Sequence, residues 1–194
     1  MRDLCQHVMD LVENSVASGA QRVTVLLSED VQQNRLSLLV EDDGEGMTPE
    51  VAGKAADPFY TTRNTRRVGL GLSLLQAASQ RSEGSFALDS APGRGTRVEC
   101  SFGLTHLDRP PLGDVVTTLA TLVALHPSLD LRYEHRTGER RFVVDTAGFQ
   151  AELRDGVSLG EPSVLSLVRR HLAEEWAAFR DGDPALRDEP LRPA

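Results

Sequence analysis

The sequence predicts an α/β protein of the α+β kind, because helical and strand patterns alternate along the chain. Residues 3–17 carry apolar side chains at helical spacing. RVTVLL (22–27) and RLSLLV (35–40) are typical of two strands joined by the polar turn SEDVQQN. A second helical pattern follows Gly69 and Gly71, and another strand is indicated at 96–102.

Length and composition limit the classes of protein that the chain can represent. A chain of 194 residues with 40% hydrophobic residues suits one domain plus a smaller appendage. The net charge of −8 argues against a general nucleic-acid binder. No apolar run is long enough for a membrane span, and polar residues interrupt any signal peptide in MRDLCQHVMD. Cys5 and Cys100 are isolated, as expected for buried thiols in a cytoplasmic protein.

The first predicted helix has two separate faces. Its apolar arc is formed by Leu4, Val8, Leu11, Val12 and Val16. A polar stripe on another face holds Asp3, His7, Asp10 and Asn14. Glu13 lies off this stripe, so we expect it to be solvated, and Gly19 is a C-cap signal. The stripe alone is equally typical of a solvated helix face.

The strand at 35–40 leads into a glycine-rich turn. Alternation places Asp42 on the same face as Leu36, Leu38 and Val40, so its carboxylate is expected to point inward. A buried carboxylate needs a donor, and the exocyclic amine of adenine is one. Gly44 and Gly46 complete a D-x-G-x-G pattern that would let backbone approach a flat base, although a plain Asp-Gly turn has the same pattern.

Two further glycine motifs follow in order. Gly69 and Gly71 precede an apolar helix whose first N–H groups would suit phosphate. The turn at 91–95 then enters a strand in which Thr96 is expected to point inward. Between the glycine motifs lies the loop DPFYTTRNTRR (57–67), in which we favour Arg63 over Arg66 and Arg67 for γ-phosphate contact or lid closure.

Taken together, these motifs resemble the GHKL ATP-binding superfamily of gyrase, the heat-shock chaperone ATPase, histidine kinases and MutL. DLVENSVASGA is similar to its N-box, DDGEGM to the first glycine box, DPFYTTR to the F-box, GLGLSLL to the second glycine box and GRGT to the third. The resemblance covers about residues 1–104. It implies a Bergerat fold, a two-layer sandwich in which helices cover one face of a mixed sheet.

The resemblance also implies roles for individual residues. Asn14 would bind Mg²⁺, Asp42 the adenine amine, and Thr96 the base through water. Gly69 and Gly71 would meet phosphates, and residues 47–68 would form the ATP lid. The remaining positions that match ATP-contacting positions of the superfamily are Gly44, Gly46, Met47, Phe59, Thr62, Arg63, Leu70 and Leu72.

The chain departs from the superfamily pattern at two points. Hydrolysing relatives carry Glu as general base four residues before the N-box Asn, and here that residue is Asp10, which is shorter by one methylene. Histidine kinases carry a phosphoacceptor His upstream, usually followed by an acidic residue. None of the five histidines is followed by Asp or Glu, so we expect no complete sensor kinase; they are His7, His106, His126, His135 and His171.

The rest of the chain carries no catalytic constellation. Residues 105–111 are typical of a linker, and a helix is predicted at 112–125. A hairpin at 129–145 around Thr137–Gly138, a short helix at 149–153 and a longer one from Pro162 to about Phe179 follow. We therefore predict a small α+β module of unknown role at 112–180 and a disordered tail at 181–194.

Two functions from different classes follow from the resemblance. The favoured one is an ATP-dependent regulatory switch that binds Mg·ATP and hydrolyses it slowly at most. The alternative is a phosphotransferase, acting in trans as a histidine-kinase-like domain or as an anti-sigma-type serine kinase. The expected partners are ATP or ADP, an unidentified protein and, in a homodimer, a second copy of the chain. A MutL-like DNA role ranks third because the acidic charge opposes it.

Overall fold

Within residues 3–57 and 70–181, which a computed structural model describes, six strands form one mixed sheet. The strands are β1 (Arg22–Asp30), β2 (Arg35–Asp42), β3 (Phe86–Ala91), β4 (Gly95–Gly103), β5 (Asp130–Thr137) and β6 (Arg140–Asp145). Their order across the sheet is β3-β4-β2-β1-β5-β6. All neighbours are antiparallel except β1 and β5, which run parallel.

Helices cover the apolar face of this sheet. The helices of the described residues are α1 (Leu4–Ala17), α2 (Pro49–Ala52), α3 (Leu70–Arg81), α4 (Val115–Leu125), α5 (Thr146–Glu152) and α6 (Pro162–Asp181); α2 buries no residue and lies beside β3. Helix α1 packs between α3 and α4, and α4 packs against α6, so these four helices lie side by side in one layer. The predicted α+β fold with a helix-covered mixed sheet is confirmed.

The period-two pattern of the strands decides which face is buried. In β2, Leu36, Leu38 and Val40 are buried, whereas Ser37 and Leu39 on the other face are half-buried. The opposite face carries ion pairs: Arg97 of β4 lies 3.3 Å from Glu41 of β2 and 3.2 Å from Glu99 of its own strand. The core therefore lies between the sheet and the helical layer.

Residues 112–180 extend the same sheet. Strand β5 pairs with β1 from Arg22↔Asp130 to Glu29↔Thr137, and β6 pairs with β5 at the edge. The predicted hairpin and helices of this segment are present, whereas β3 and α2 were not predicted from the sequence. The division into a domain at 1–104 and a module at 112–180 stays a prediction. Of the predicted tail at 181–194, Asp181 is the last residue of α6, and 182–194 lie outside the described residues.

No helix in the described parts of the chain combines the length and apolarity that a membrane crossing requires.

Candidate functional site

The carboxylate of Asp42 lies at the centre of the candidate site, at the end of β2. Its Oδ1 accepts hydrogen bonds from the backbone N–H groups of Gly44 and Thr96, at 3.0 and 3.1 Å. Its Oδ2 accepts a hydrogen bond from the hydroxyl of Ser15 at 2.6 Å. The first glycine motif, the third glycine motif and helix α1 therefore meet at one half-buried side chain.

Glycines are required where the two glycine turns approach each other. Gly95 has φ +83°, and a Cβ there would stand 1.9 Å from the carbonyl oxygen of Asp42. Gly46 has φ +67°, and its Cβ would stand 2.0 Å from the carbonyl oxygen of Ala91. The N–H of Gly93 donates to the carbonyl of Glu45 at 2.7 Å and links the turns directly. Only residues without a side chain allow this packing.

A second polar network lies beside Asp42. The hydroxyls of Thr96 and Ser90 are 2.9 Å apart, and Ser90 Oγ donates to the carbonyl of Gly95 at 2.9 Å. The N–H of Met47 donates to the same Ser90 oxygen at 2.9 Å. Thr96 shares its face of β4 with the buried Val98, Cys100 and Phe102, as predicted. The network fixes the start of the segment after Gly46.

Asp43, the next residue, binds backbone groups near the start of β1. Its Oδ1 accepts from the N–H groups of Gln21 and Arg22, both at 2.8 Å. These hydrogen bonds, that from Arg22 first, lower the pKa of the Asp43 carboxyl below its usual value of 3.8. Asp43 therefore joins the loop before β1 to the end of β2, and it shares no hydrogen-bond partner with Asp42 among the described residues.

The side chains of the polar stripe on α1 lie in different environments. Asp10 faces the start of α3, since a Cβ built on Gly71 would lie 3.5 Å from Asp10 Oδ2. Asn14, one turn further along α1, is exposed, and His7 is buried at 3% exposure. Asp3 is the N-cap of α1, where it accepts from the N–H of Gln6 at 2.7 Å. The stripe is therefore not a uniformly solvated face.

Glu13 was expected to be solvated; its side chain is 39% exposed, and it also has a partner on another element. Its Oε1 lies 2.7 Å from Nε2 of His126, at the end of α4. Neighbouring helix α4 supplies this partner, and the helical pattern of α1 alone could not reveal it.

Several predicted ATP-contacting positions lie outside the described residues: Phe59, Thr62, Arg63 and Gly69. Half of the predicted lid (47–68), namely residues 58–68, lies there too. Leu70 begins α3, and Leu72 packs partly buried against the core.

Two polar residues at the site were missed by sequence reasoning. Ser15 is buried and follows Asn14, three and four residues after Val12 and Leu11. A hydroxyl on the apolar side of a helix requires a partner, and this signal could have identified it. Ser90 lies on β3, a strand that was not predicted, so no signal placed it next to Thr96.

Comparisons with known proteins give a matching family model and similar sequences. Residues 1–106 match the family model described as "Histidine kinase-, DNA gyrase B-, and HSP90-like ATPase". Sporulation kinase A of Bacillus subtilis is 31% identical over 101 residues, which is 51% of this chain and 16% of that protein. The cell-division control histidine kinase PdhS of Brucella anthropi is 31% identical over 120 residues, 55% of this chain and 11% of its own length.

Two solved structures are also similar. The Mycobacterial sensor histidine kinase MprB has a TM-score of 0.40 and 22% identity, over 50% of this chain and 66% of that one. The N-terminal domain of a DNA repair protein has a TM-score of 0.49 and 13% identity, over 74% and 52%. The chain spans less than a fifth of the length of the similar sequences. The family model covers more than half of the chain, and the chain belongs to the histidine kinase-, DNA gyrase B- and HSP90-like ATPases.

Proposed function

We propose that the chain binds ATP with Mg²⁺ and works as an ATP-dependent regulatory switch, with slow hydrolysis at most. The observation that carries this proposal is the carboxylate of Asp42, oriented by Ser15, Gly44 and Thr96 between two glycine turns. Family membership implies ATP binding, and the arrangement of these residues supports adenine as the recognised group.

Recognition of the adenine amine would depend on Asp42 Oδ2. A carboxylate oxygen has about two lone-pair sites. Oδ1 already accepts two hydrogen bonds, whereas Oδ2 accepts one, from Ser15. Oδ2 can therefore accept a further hydrogen bond from an exocyclic amine. The tight glycine turns beside it would let a flat ring lie against backbone.

The phosphate end of the nucleotide would lie along α1 towards α3. Asn14 is an exposed residue one turn from Asp10, and Asp10 faces Gly71 of the second glycine motif. An amide oxygen completed by phosphate oxygens suits Mg²⁺, which would neutralise phosphate charge when bound. In this proposal Asn14 holds the metal, and Gly71 lets the backbone of α3 approach the phosphates.

Asp10 would act as the general base for any hydrolysis. Its carboxylate is shorter by one methylene than the Glu of hydrolysing relatives, so it would hold water further from the phosphorus. A misplacement of about 1 Å can cost about 10²-fold in rate. Slow turnover is therefore expected, and it suits a protein whose nucleotide state is read by a partner.

The switch requires something that reads the nucleotide state. We assign this to an unidentified protein partner or, in a homodimer, to a second copy of the chain. The cytoplasm is the proposed location, since it supplies ATP and keeps thiols such as the buried Cys5 and Cys100 reduced.

A phosphotransferase is the second candidate, favoured by the similar proteins that are named as kinases. In this version the chain would transfer the γ-phosphate of ATP to another protein. Its own His7 and His135 are 3% and 0% exposed, which opposes either as an acceptor in the folded state.

Incubation with ATP labelled at the γ-phosphate, with and without cell extract, separates the two candidates. Label on a partner protein would establish the phosphotransferase, and slow release of labelled phosphate with no labelled protein would support the switch. Calorimetry with Mg·ADP on the same preparation tests nucleotide binding itself. Failure to bind Mg·ADP or Mg·ATP would refute both functions.

A further inference from the structure

The segment after β4 contacts both ends of the helix that carries Asp10 and Asn14. At the start of α1, the N–H groups of Leu4 and Cys5 donate to the carbonyls of Pro111 and Leu112, at 2.9 and 3.0 Å. The first four N–H groups of a helix have no partner within the helix. Residues 111 and 112 therefore satisfy two donors that α1 cannot satisfy itself.

Gly113 makes this contact possible. It has φ +87°, and a Cβ there would stand 2.6–2.9 Å from atoms of the Asp3 carboxylate, the N-cap of α1. A side chain at this position would be strained at this φ and would have to displace the Asp3 carboxylate. The chain then enters α4 directly, so α4 starts beside the start of α1.

The other ends of the two helices are joined by side chains. His126 follows α4, and its Nε2 lies 2.7 Å from Oε1 of Glu13 on α1. Since residues 112 and 126 adjoin residues 5 and 13, the two helices run parallel. The residues that flank α4 on both sides thus contact α1, at its start before Asp10 and again immediately before Asn14.

We propose that Glu13 and His126 are positioning residues for nucleotide binding. Their hydrogen bond holds the second half of α1, where Asn14 and Ser15 lie, in the position that Asp42 and the phosphates require. Ser15 reaches Asp42 at 2.6 Å, so a small displacement of this half of α1 would disturb the adenine and metal ends of the site together. This inference rests on the proposed nucleotide binding.

Coupling of this kind acts in both directions. If the contact between Glu13 and His126 strengthens nucleotide binding, bound nucleotide must stabilise the contact by the same factor. Residues 112–180, which extend the sheet, would then respond to bound nucleotide through α4, which packs against α6. The end of α4 is therefore the place where nucleotide binding should be detectable outside the site.

The chain offers a matched control for this pair. Asp130 of β5 lies 2.9 Å from Nε of Arg22 on β1 and joins the same two parts of the chain; within the described residues its hydrogen bonds go to Gln21 and Arg22, and none goes to α1. Side-chain exposure is also similar, at 39% for Glu13 and 34% for Asp130. The two substituted carboxylates are therefore comparable, whereas their partners differ in side-chain exposure, at 20% for His126 and 68% for Arg22.

The test compares Glu13→Ala, His126→Ala and the double variant with Asp130→Ala, by calorimetry with Mg·ADP and by thermal melting. We expect about fivefold weaker binding in each single variant, or about 1 kcal/mol, and no further loss in the double variant. Glu13→Gln retains the acceptor oxygen and should bind almost as the native protein does. Asp130→Ala should melt earlier with an unchanged Kd. In hydrogen exchange, Mg·ADP should protect residues 119–126 in the native protein and less so in Glu13→Ala.

The outcomes separate this inference from the proposed function. If the native protein binds Mg·ADP while Glu13→Ala and His126→Ala bind it equally well, the positioning role is refuted and nucleotide binding stands. Equal losses in Glu13→Ala and Asp130→Ala would also refute it, because they would indicate a general effect. If the native protein does not bind nucleotide, the proposed function fails and this inference fails with it.

Discussion

Replacement of Asp42 by Asn is the most direct test of the site. The substitution keeps the size of the side chain and exchanges one carboxylate oxygen for an NH₂ group. The amide oxygen should face the N–H groups of Gly44 and Thr96, because a nitrogen there would oppose two donors. The NH₂ group is then placed at the Oδ2 position, where the hydroxyl of Ser15 can turn and accept from it.

This orientation places a donor where the adenine amine needs an acceptor. A hydrogen bond to a charged group contributes about 1.5–3 kcal/mol, and an unsatisfied buried donor costs about 1–3 kcal/mol. The combined loss of about 2.5–6 kcal/mol corresponds to about 10²- to 10⁴-fold weaker binding. The free energy of unfolding should fall by less than the binding free energy does, because both backbone hydrogen bonds to the side chain are retained.

Calorimetry with Mg·ADP measures the affinity, and thermal melting shows whether the variant is folded. Asp43→Asn is the control, since this neighbouring carboxylate binds the N–H groups of Gln21 and Arg22. It should reduce stability and leave the Kd unchanged. A folded Asp42→Asn variant with a Kd within about threefold of the native value would refute the assignment of Asp42.

Three other predictions follow from the same geometry. Gly95→Ala should lower the free energy of unfolding in urea by about 2–4 kcal/mol, because its Cβ would meet the carbonyl of Asp42. Gly93→Ala has open space around its Cβ and should lower it by about 1–2 kcal/mol. Equal losses in the two variants would contradict the close approach at Gly95. Asp10→Asn should abolish turnover while ATP binding survives, and Asp10→Glu should preserve or raise it in single-turnover assays; full turnover in Asp10→Asn would exclude the base role. The pKa of Asp43 is lowered in the folded state, so the carboxylate adds to the free energy of unfolding above pH 3.8, and this contribution is lost as pH falls through the folded pKa. The difference in free energy of unfolding between the native protein and Asp43→Asn should therefore shrink below pH 3.8. A difference that stays constant would contradict this linkage.

The sequence was sufficient for the site elements that depend on local spacing. Alternation along a strand predicted that Asp42 and Thr96 face the core side, and both do. The 3.6-residue period placed Asp10 and Asn14 on the same stripe of α1. These predictions succeed because side-chain direction in a helix or strand is set by neighbours only a few residues away.

Partners from distant segments were not predictable in this way. Ser15 and Asp42 are 27 residues apart, and their contact depends on how α1 lies across the sheet. Ser90 contacts Thr96 only because β3 pairs with β4, and β3 itself has a weak pattern of half-buried side chains. Each contact requires the packed arrangement of two elements, which no local period contains.

By itself, the sequence determined the family, the order of the motifs and the faces of the strands that present Asp42 and Thr96. Only the tertiary structure showed that β5 pairs in parallel with β1 and continues the sheet. It also showed that Glu13 meets His126 across 113 residues of sequence. Parallel strands need a long connection between them. The strand that pairs with β1 is selected because the apolar faces of β1 and β5 are buried together under α4 and α6. That selection is made by the packed core as a whole, so the local pattern of either strand could not reveal it.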